Sequence, residues 1–327
     1  MWSWLGLVVS GMLNGTFAVP MKKIRVWTFH QVWGLFSLLA MVVAPWAGIL
    51  MGIPSWRETL AAIPTCGLIA LIALGLVWGA ASLLYGLAVD YLGVALGISI
   101  MLGLSITVGS LLSLFSAGAL HLASVRDFLF LGSLLLMVVG VVTCARAGGT
   151  LSSEGHVARP RFRLGLIIAI LAGVGGPLMN VGIQYGRDLL ERVGKSAPEQ
   201  KWVAWAIFLS AAAVTQSGYC LLRTFRAGNA RLFWANRALA DAGLVVLMSV
   251  VWAASIFLYA TSTDALGDLG TSFGWPIFIG LIVVTSNVWG VLLGEWRERP
   301  RLAFYRMVVG SAILVIAAFL IAQTRPR

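Results

Sequence analysis

Trp78, Tyr85, Asp90 and Gly93 recur as Trp252, Tyr259, Asp264 and Gly267, each pair 174 residues apart. Leu92 and Leu266 keep the same offset, so the pattern W-x6-Y-x4-D-x2-G is repeated without a gap. Such a match marks two fused copies of one unit. In a membrane protein, halves related in this way commonly form a carrier that rocks around a central site. The repeat therefore points to transport before any chemistry is considered.

The repeat sits in a chain made for a bilayer. Hydrophobic residues make up 60% of its 327 positions and charged residues 11%, at a mean hydropathy of +0.94, which leaves too little polar surface to cover a soluble globule. Crossing the hydrocarbon as a helix takes about 20 apolar residues. Ten such runs are marked, at roughly 2–20, 31–52, 62–88, 92–117, 127–146, 163–185, 202–222, 243–262, 269–293 and 303–323. The runs are continuous and do not alternate, which selects helices over a barrel. An all-α membrane protein follows.

The polar connector at 146–163 divides the ten runs into five and five. With an odd number per half, the second copy enters the membrane from the opposite side. The expected architecture is thus two inverted five-helix repeats, 1–150 and 164–327, joined by a connector at 151–163. Gly6 and Leu7 before Asn14, Gly15 and Pro20 resemble Gly165 and Leu166 before Gly173, Gly176 and Pro177, making the first and sixth helices counterparts. Asp90 and Asp264 then fall in short turns on opposite faces, where they suit symmetric gates.

A net charge of +11 would suit nucleic acid in another setting, but here Lys and Arg lie at helix ends and report orientation. An outside N-terminus places 15 of the 23 in cytoplasmic loops and 8 on the other face. Both termini are read as outside, in an inner membrane. The N-terminal MWSWLGLVVSG lacks a basic leader and a small-residue cleavage site, so it reads as a retained first helix. Cys66, Cys144 and Cys220 are scattered in apolar runs and read as buried packing, neither disulfides nor a metal site.

Polar groups in the spans are few. Trp78, Ser82 and Tyr85 share one face of the third helix, and Trp252, Ser255, Tyr259 and Ser262 one face of the eighth. Aromatic rings with interleaved hydroxyls suit a sugar, although Trp and Tyr also anchor helices at membrane interfaces. Asn180 and Gln184 share a face of the sixth helix with Gly176, Asn14 sits near the middle of the first, and Asn287 lies further into the ninth. Carboxamides bind neutral hydroxyls without the desolvation cost of a charge, and they equally tie helices together. The ninth helix opens Gly270, Ser272, Gly274, Trp275, Pro276, and Pro276 fits a first turn.

No Asp, Glu, Lys, Arg or His falls in the middle third of any run. A proton-coupled carrier usually needs a titrating group within reach of its cavity; Asp264, Asp268 and Lys22, all near helix ends, are the candidates. Signatures of metal hydrolases, phosphate loops and paired catalytic carboxylates are absent from the sequence. The chain is read as a non-enzyme without a cofactor.

The string Asn14-Gly-Thr-Phe-Ala-Val-Pro20-Met-Lys22-Lys23, followed by Trp27 and Trp33, resembles sugar carriers of the drug/metabolite transporter superfamily, above all the L-rhamnose-proton symporter family. Trp78-Gly79 to Tyr85-Gly86-Leu87, Tyr91-Leu92-Gly93, Gly97-Ile98 and Gly294-Glu295-Trp296 extend the likeness over most of the chain. The resemblance implies ten helices in two inverted repeats and uptake of a 6-deoxyhexose with a proton. It also implies that Pro20, Lys22 and Lys23 close the first helix while Tyr85 and the Trp275 region face the cavity. Other neutral monosaccharides, an exporter of metabolites or amphipathic compounds, and a sensor without flux stay open, as does a homodimer.

Overall fold

The computed structural model describes residues 2–116, 124–148, 159–195, 201–267, 270–294, 296–297 and 300–324; at a few helical positions, Asp90 among them, only the backbone is described. The elements are α1 (Trp2–Thr16), a 3-10 turn (Val19–Lys23), α2 (Phe29–Leu38), a π-segment (Leu39–Val43), α3 (Ala44–Gly52), α4 (Trp56–Ala62), α5 (Thr65–Ser116) and α6 (Val125–Gly148). They continue as α7 (Arg159–Gly175), α8 (Leu178–Arg192), α9 (Lys201–Arg226), a second 3-10 turn (Asn229–Trp234), α10 (Ala238–Ala265), α11 (Gly270–Leu292) and α12 (Arg301–Thr324). The π-segment has a local cause: Pro45 follows it and lacks the N–H that would continue the ladder.

Among the described residues, nine segments are long and apolar enough to cross a bilayer, and Ile100–Leu112 is a shorter apolar stretch. The expected turn at Asp90 is not there. The chain runs helically through Asp90, Tyr91 and Leu92 in the single 52-residue α5, about 78 Å long at 1.5 Å per residue, against a hydrocarbon core of about 30 Å. Nothing between Tyr85 and Ile100 breaks a helix as firmly as proline does. At the equivalent place in the second half Gly267 has φ +82, a left-handed conformation that glycine adopts cheaply, and α10 stops just before it. Asp264 is also helical, in the last turn of α10, so neither repeated aspartate lies in a turn.

Three smaller expectations are corrected. Asn14 lies in the last turn of α1, because the helix ends at Thr16. Pro276 lies inside α11, since that helix begins at Gly270. Cys66 is exposed at the start of α5, while Cys144 and Cys220 are buried, and all three are free thiols. The sixth run, marked as continuous over 163–185, is interrupted: α7 ends at Gly175 and α8 begins at Leu178, on either side of Gly176 and Pro177.

The chain forms two compact units, each built from separated stretches: residues 1–16, 81–177 and 255–327 in the first, and 17–80 and 178–254 in the second. Within the first unit, glycines let backbones meet. A Cβ on Gly11 would lie 2.6 Å from Leu281 Cβ, and one on Gly15 2.6 Å from Thr285 Cβ, so α1 lays a G-x-x-x-G face on α11. Gly140 of α6 faces Leu314 of α12 at 2.9 Å, and Gly310 of α12 faces Cys144 of α6 at 2.6 Å. Each glycine thus meets the residue four positions beyond the other.

Within the second unit, α9 is the centre, with Val203, Ala204, Ala206, Phe208, Ala212 and Ala213 all buried. Gly75 and Gly79 of α5 come against the Phe208 and Ala212 carbonyls and Thr215, a second G-x-x-x-G contact. The Ser217 hydroxyl donates to the Gly34 carbonyl over 2.9 Å, and Ser37 to Gln216 Oε1 over 3.1 Å. Trp78 packs on Phe208, ring centroids 5.7 Å apart, and Trp252 on Phe36 at 5.9 Å.

Candidate functional site

Of the site residues expected on α5, α10 and α11, Ser82, Tyr85, Tyr259 and Trp275 lie in the first unit. Gly176 follows the end of α7, and a Cβ there would stand 2.9 Å from the Ser105 hydroxyl and 3.3 Å from the Tyr85 hydroxyl. Two hydroxyls from one helix therefore face the same bare glycine. Behind them, the Trp275 indole N–H donates to the Ser105 carbonyl over 2.9 Å. Gly109, one turn beyond Ser105, has no side chain where one would meet the indole at 2.6 Å and Pro177 at 3.1 Å. Tyr259 completes the group, its ring 6.1 Å from Trp275 and 4.5 Å from Phe278.

Exposure separates two roles. Tyr259 and Trp275 are buried, at 0% and 4%, whereas Ser82, Tyr85 and Gly176 are only half-buried. Ser105 is buried at 1%, so the partly open positions are those of Ser82, Tyr85 and Gly176, with the rings behind them. Hydroxyls and bare backbone of this kind hydrogen-bond a neutral polyhydroxylated ligand.

The other expected residues lie elsewhere. Asn14 donates to the Ser255 hydroxyl over 3.0 Å, which donates in turn to the Ser10 carbonyl over 2.9 Å, a tie between α1 and α10. Asn287 donates to Ser311 Oγ over 3.1 Å and approaches Cys144 Sγ at 3.4 Å, joining α11 to α12 and α6. Trp78, Trp252, Asn180 and Gln184 belong to the second unit; the first three are buried, and Gln184 is half-buried. Asp264 is half-buried in the first unit, with one carboxylate oxygen shielded from solvent. Lys22 is exposed at the end of the first 3-10 turn, and Asp268 lies outside the described residues.

Sequence reasoning missed Ser105, Gly109 and Asp241. Ser105 and Gly109 stand at i and i+4 on α5, in a stretch whose small and hydroxyl residues suit helix packing equally well. Asp241, within the first turn of α10, is 2% exposed and accepts backbone N–H groups of Arg25, Val26 and Trp27 at 3.2, 2.8 and 3.0 Å. An acid at a helix start is common enough to carry no distinguishing signal.

Nine segments among the described residues are long and apolar enough to cross a bilayer, which defines a multi-pass membrane protein. A family model described as L-rhamnose-proton symport protein matches residues 1–324, and the chain belongs to that family of transporters. Curated relatives include the L-rhamnose-proton symporters of Cronobacter sakazakii, 24% identical over 315 residues, and of Escherichia coli, 22% over 315. That of Shigella boydii serotype 18 is 23% identical over 315 residues; each alignment covers 92% of this chain and 91% of the relative.

Proposed function

We propose that this protein takes up a neutral monosaccharide, best matched by L-rhamnose or a similar 6-deoxyhexose, together with a proton across an inner membrane. The convergence of the Tyr85 and Ser105 hydroxyls on Gly176, with Trp275 bonded to the Ser105 carbonyl, carries the reading, since it offers a sugar hydrogen bonds from neutral groups. In this reading Tyr85 and Ser105 bind sugar hydroxyls, with Ser82 at the rim, while Trp275 and Tyr259 hold them in place. Asp264 carries the proton, being a helical carboxylate with one buried oxygen.

The same reading takes the chain as ten spans in two inverted repeats that give alternating access, with both termini outside, and it requires the continuous α5 to part near Asp90 into two spans when the chain sits in a bilayer. Exchange of partners between the halves supports it. A shift of 174 residues carries Trp78 to Trp252 and one of 172 carries Phe36 to Phe208, and the observed ring pairs are Trp78 with Phe208 and Trp252 with Phe36. Ser249, the equivalent of Gly75, approaches the Phe36 carbonyl as Gly75 approaches that of Phe208. The unit boundaries after Ala80 and Ala254 are 174 residues apart as well.

Counterflow in proteoliposomes tests the function. Labelled L-rhamnose should exchange across the membrane, and an acid-outside gradient should drive its accumulation. No exchange of L-rhamnose or of any other neutral monosaccharide would overturn the reading. Exchange indifferent to the gradient would remove the proton and keep the carrier.

A further inference from the structure

We propose that the end of the second unit built from residues 19–31 and 223–241 is a binding platform for anionic phospholipid headgroups. Lys23, Arg25, Arg223, Arg226, Arg231 and Arg237 are all exposed there. The only Asp or Glu in these two stretches is Asp241. Its carboxylate is buried and engaged by three successive backbone N–H groups, those of Arg25, Val26 and Trp27, so it offers the cations no surface partner.

The same contacts make the platform rigid. Trp27 donates its indole N–H to the Leu232 carbonyl over 3.1 Å and packs edge-on against Phe233 at 5.3 Å. Gln31 reaches the Asn229 carbonyl at 3.3 Å. The segment bearing Lys23 and Arg25 is thereby fixed to the one bearing Arg231 and Arg237. Arg237 itself holds φ +73, a region where a non-glycine residue is costly. Elsewhere in this unit Lys195 pairs with Glu58, and Arg187 with Asp188 and Glu191.

Apolar neighbours select a lipid over a free phosphate. Trp234 is 91% exposed, Leu239 87% and Phe225 62%. Large side chains of this kind beside cations suit the boundary between headgroup and acyl chain, and free phosphate has no use for them. Clustered Lys and Arg next to a membrane helix attract anionic lipid, each cation strengthening binding by about fivefold, and salt screens the effect.

The test counts lipids on the full-length protein by native mass spectrometry after titration with phosphatidylglycerol or phosphatidylcholine. Wild type should prefer phosphatidylglycerol, and the preference should shrink at high salt. In the triple variant Lys23→Gln, Arg231→Gln, Arg237→Gln it should fall on the order of a hundredfold, while the charge-matched control Arg126→Gln, Arg192→Gln, Arg301→Gln keeps it. Should the triple variant not fold, the three single variants are titrated, each expected to lose about fivefold. Equal binding of the two lipids by wild type, equal losses in triple variant and control, or displacement of phosphatidylglycerol by millimolar inorganic phosphate would overturn the proposal.

Discussion

Trp275 donates its indole N–H to the main-chain carbonyl of Ser105 over 2.9 Å, and Gly109 leaves room for the ring by lacking a Cβ that would stand 2.6 Å from it. Gly109→Ala must displace the indole and, with it, the helix turn that presents Ser105. Sugar counterflow should fall by at least about tenfold, the equivalent of about 1.4 kcal/mol. Trp275→Phe keeps the apolar ring and loses one hydrogen bond, worth about 0.5–1.5 kcal/mol, so its loss should be the smaller. Counterflow rates normalised to purified protein compare the two.

Tyr85 and Ser105 should separate binding from assembly. Tyr85→Phe removes one hydroxyl from the rim and leaves the packing untouched, so the half-saturating sugar concentration should rise about threefold to tenfold with an unchanged thermal midpoint. Gly176→Ala puts a methyl 2.9 Å from the Ser105 hydroxyl and 3.3 Å from that of Tyr85, filling the place assigned to the ligand. It should abolish saturable uptake, which a transport titration reads directly.

Much of this was legible in the residues because the repeat and the apolar runs are properties of the chain alone. Tyr85 and Tyr259 belong to the aromatic stripes and Trp275 to the opening of the ninth helix, and the rings of Tyr259 and Trp275 stand 6.1 Å apart. Spacing could not tell which stripe members face a rim and which are packed: Tyr85 is half-buried and Tyr259 fully buried, although they are equivalent in the repeat. Asn14 and Asn287 show the same limit, since a carboxamide on an apolar helix binds a hydroxyl of a ligand or of a neighbouring helix with the same chemistry. The helical path through Asp90 escaped because glycine ends a helix only where it turns left-handed. Gly267 does so, and the backbone at Gly93 remains helical.

The exchanged ring pairs make Phe36 and Phe208 equivalent in load. Both are buried at 1%, each against the tryptophan of the opposite half. Phe36→Ala and Phe208→Ala should each destabilise by about 3–5 kcal/mol, with midpoints lowered to a similar extent. Thermal unfolding in detergent, followed by tryptophan fluorescence, measures both, and a large inequality would argue against the duplication.

Asp264→Asn keeps the size of the side chain and removes its ability to release a proton. If Asp264 carries the coupling proton, the variant should still exchange labelled sugar at equilibrium but no longer accumulate it under an acid-outside gradient. Asp264→Glu should retain some accumulation. Equal losses of exchange and accumulation in Asp264→Asn would assign the residue to structure and leave the proton to another group.

Orientation is tested where the chain is exposed. With an outside N-terminus, the α3 to α5 connector faces outward and the α9 to α10 connector inward, although both belong to the second unit. Ala61 and Asn236 are exposed in these connectors. After replacement of Cys66, Cys144 and Cys220 by serine or alanine, Ala61→Cys should react with a membrane-impermeant maleimide on intact cells, and Asn236→Cys only after permeabilisation. The reverse pattern would invert the orientation and leave the repeat intact. Labelling of both from one side would require an even number of crossings between them, and the odd five-helix half, on which the inverted duplication depends, would then be untenable.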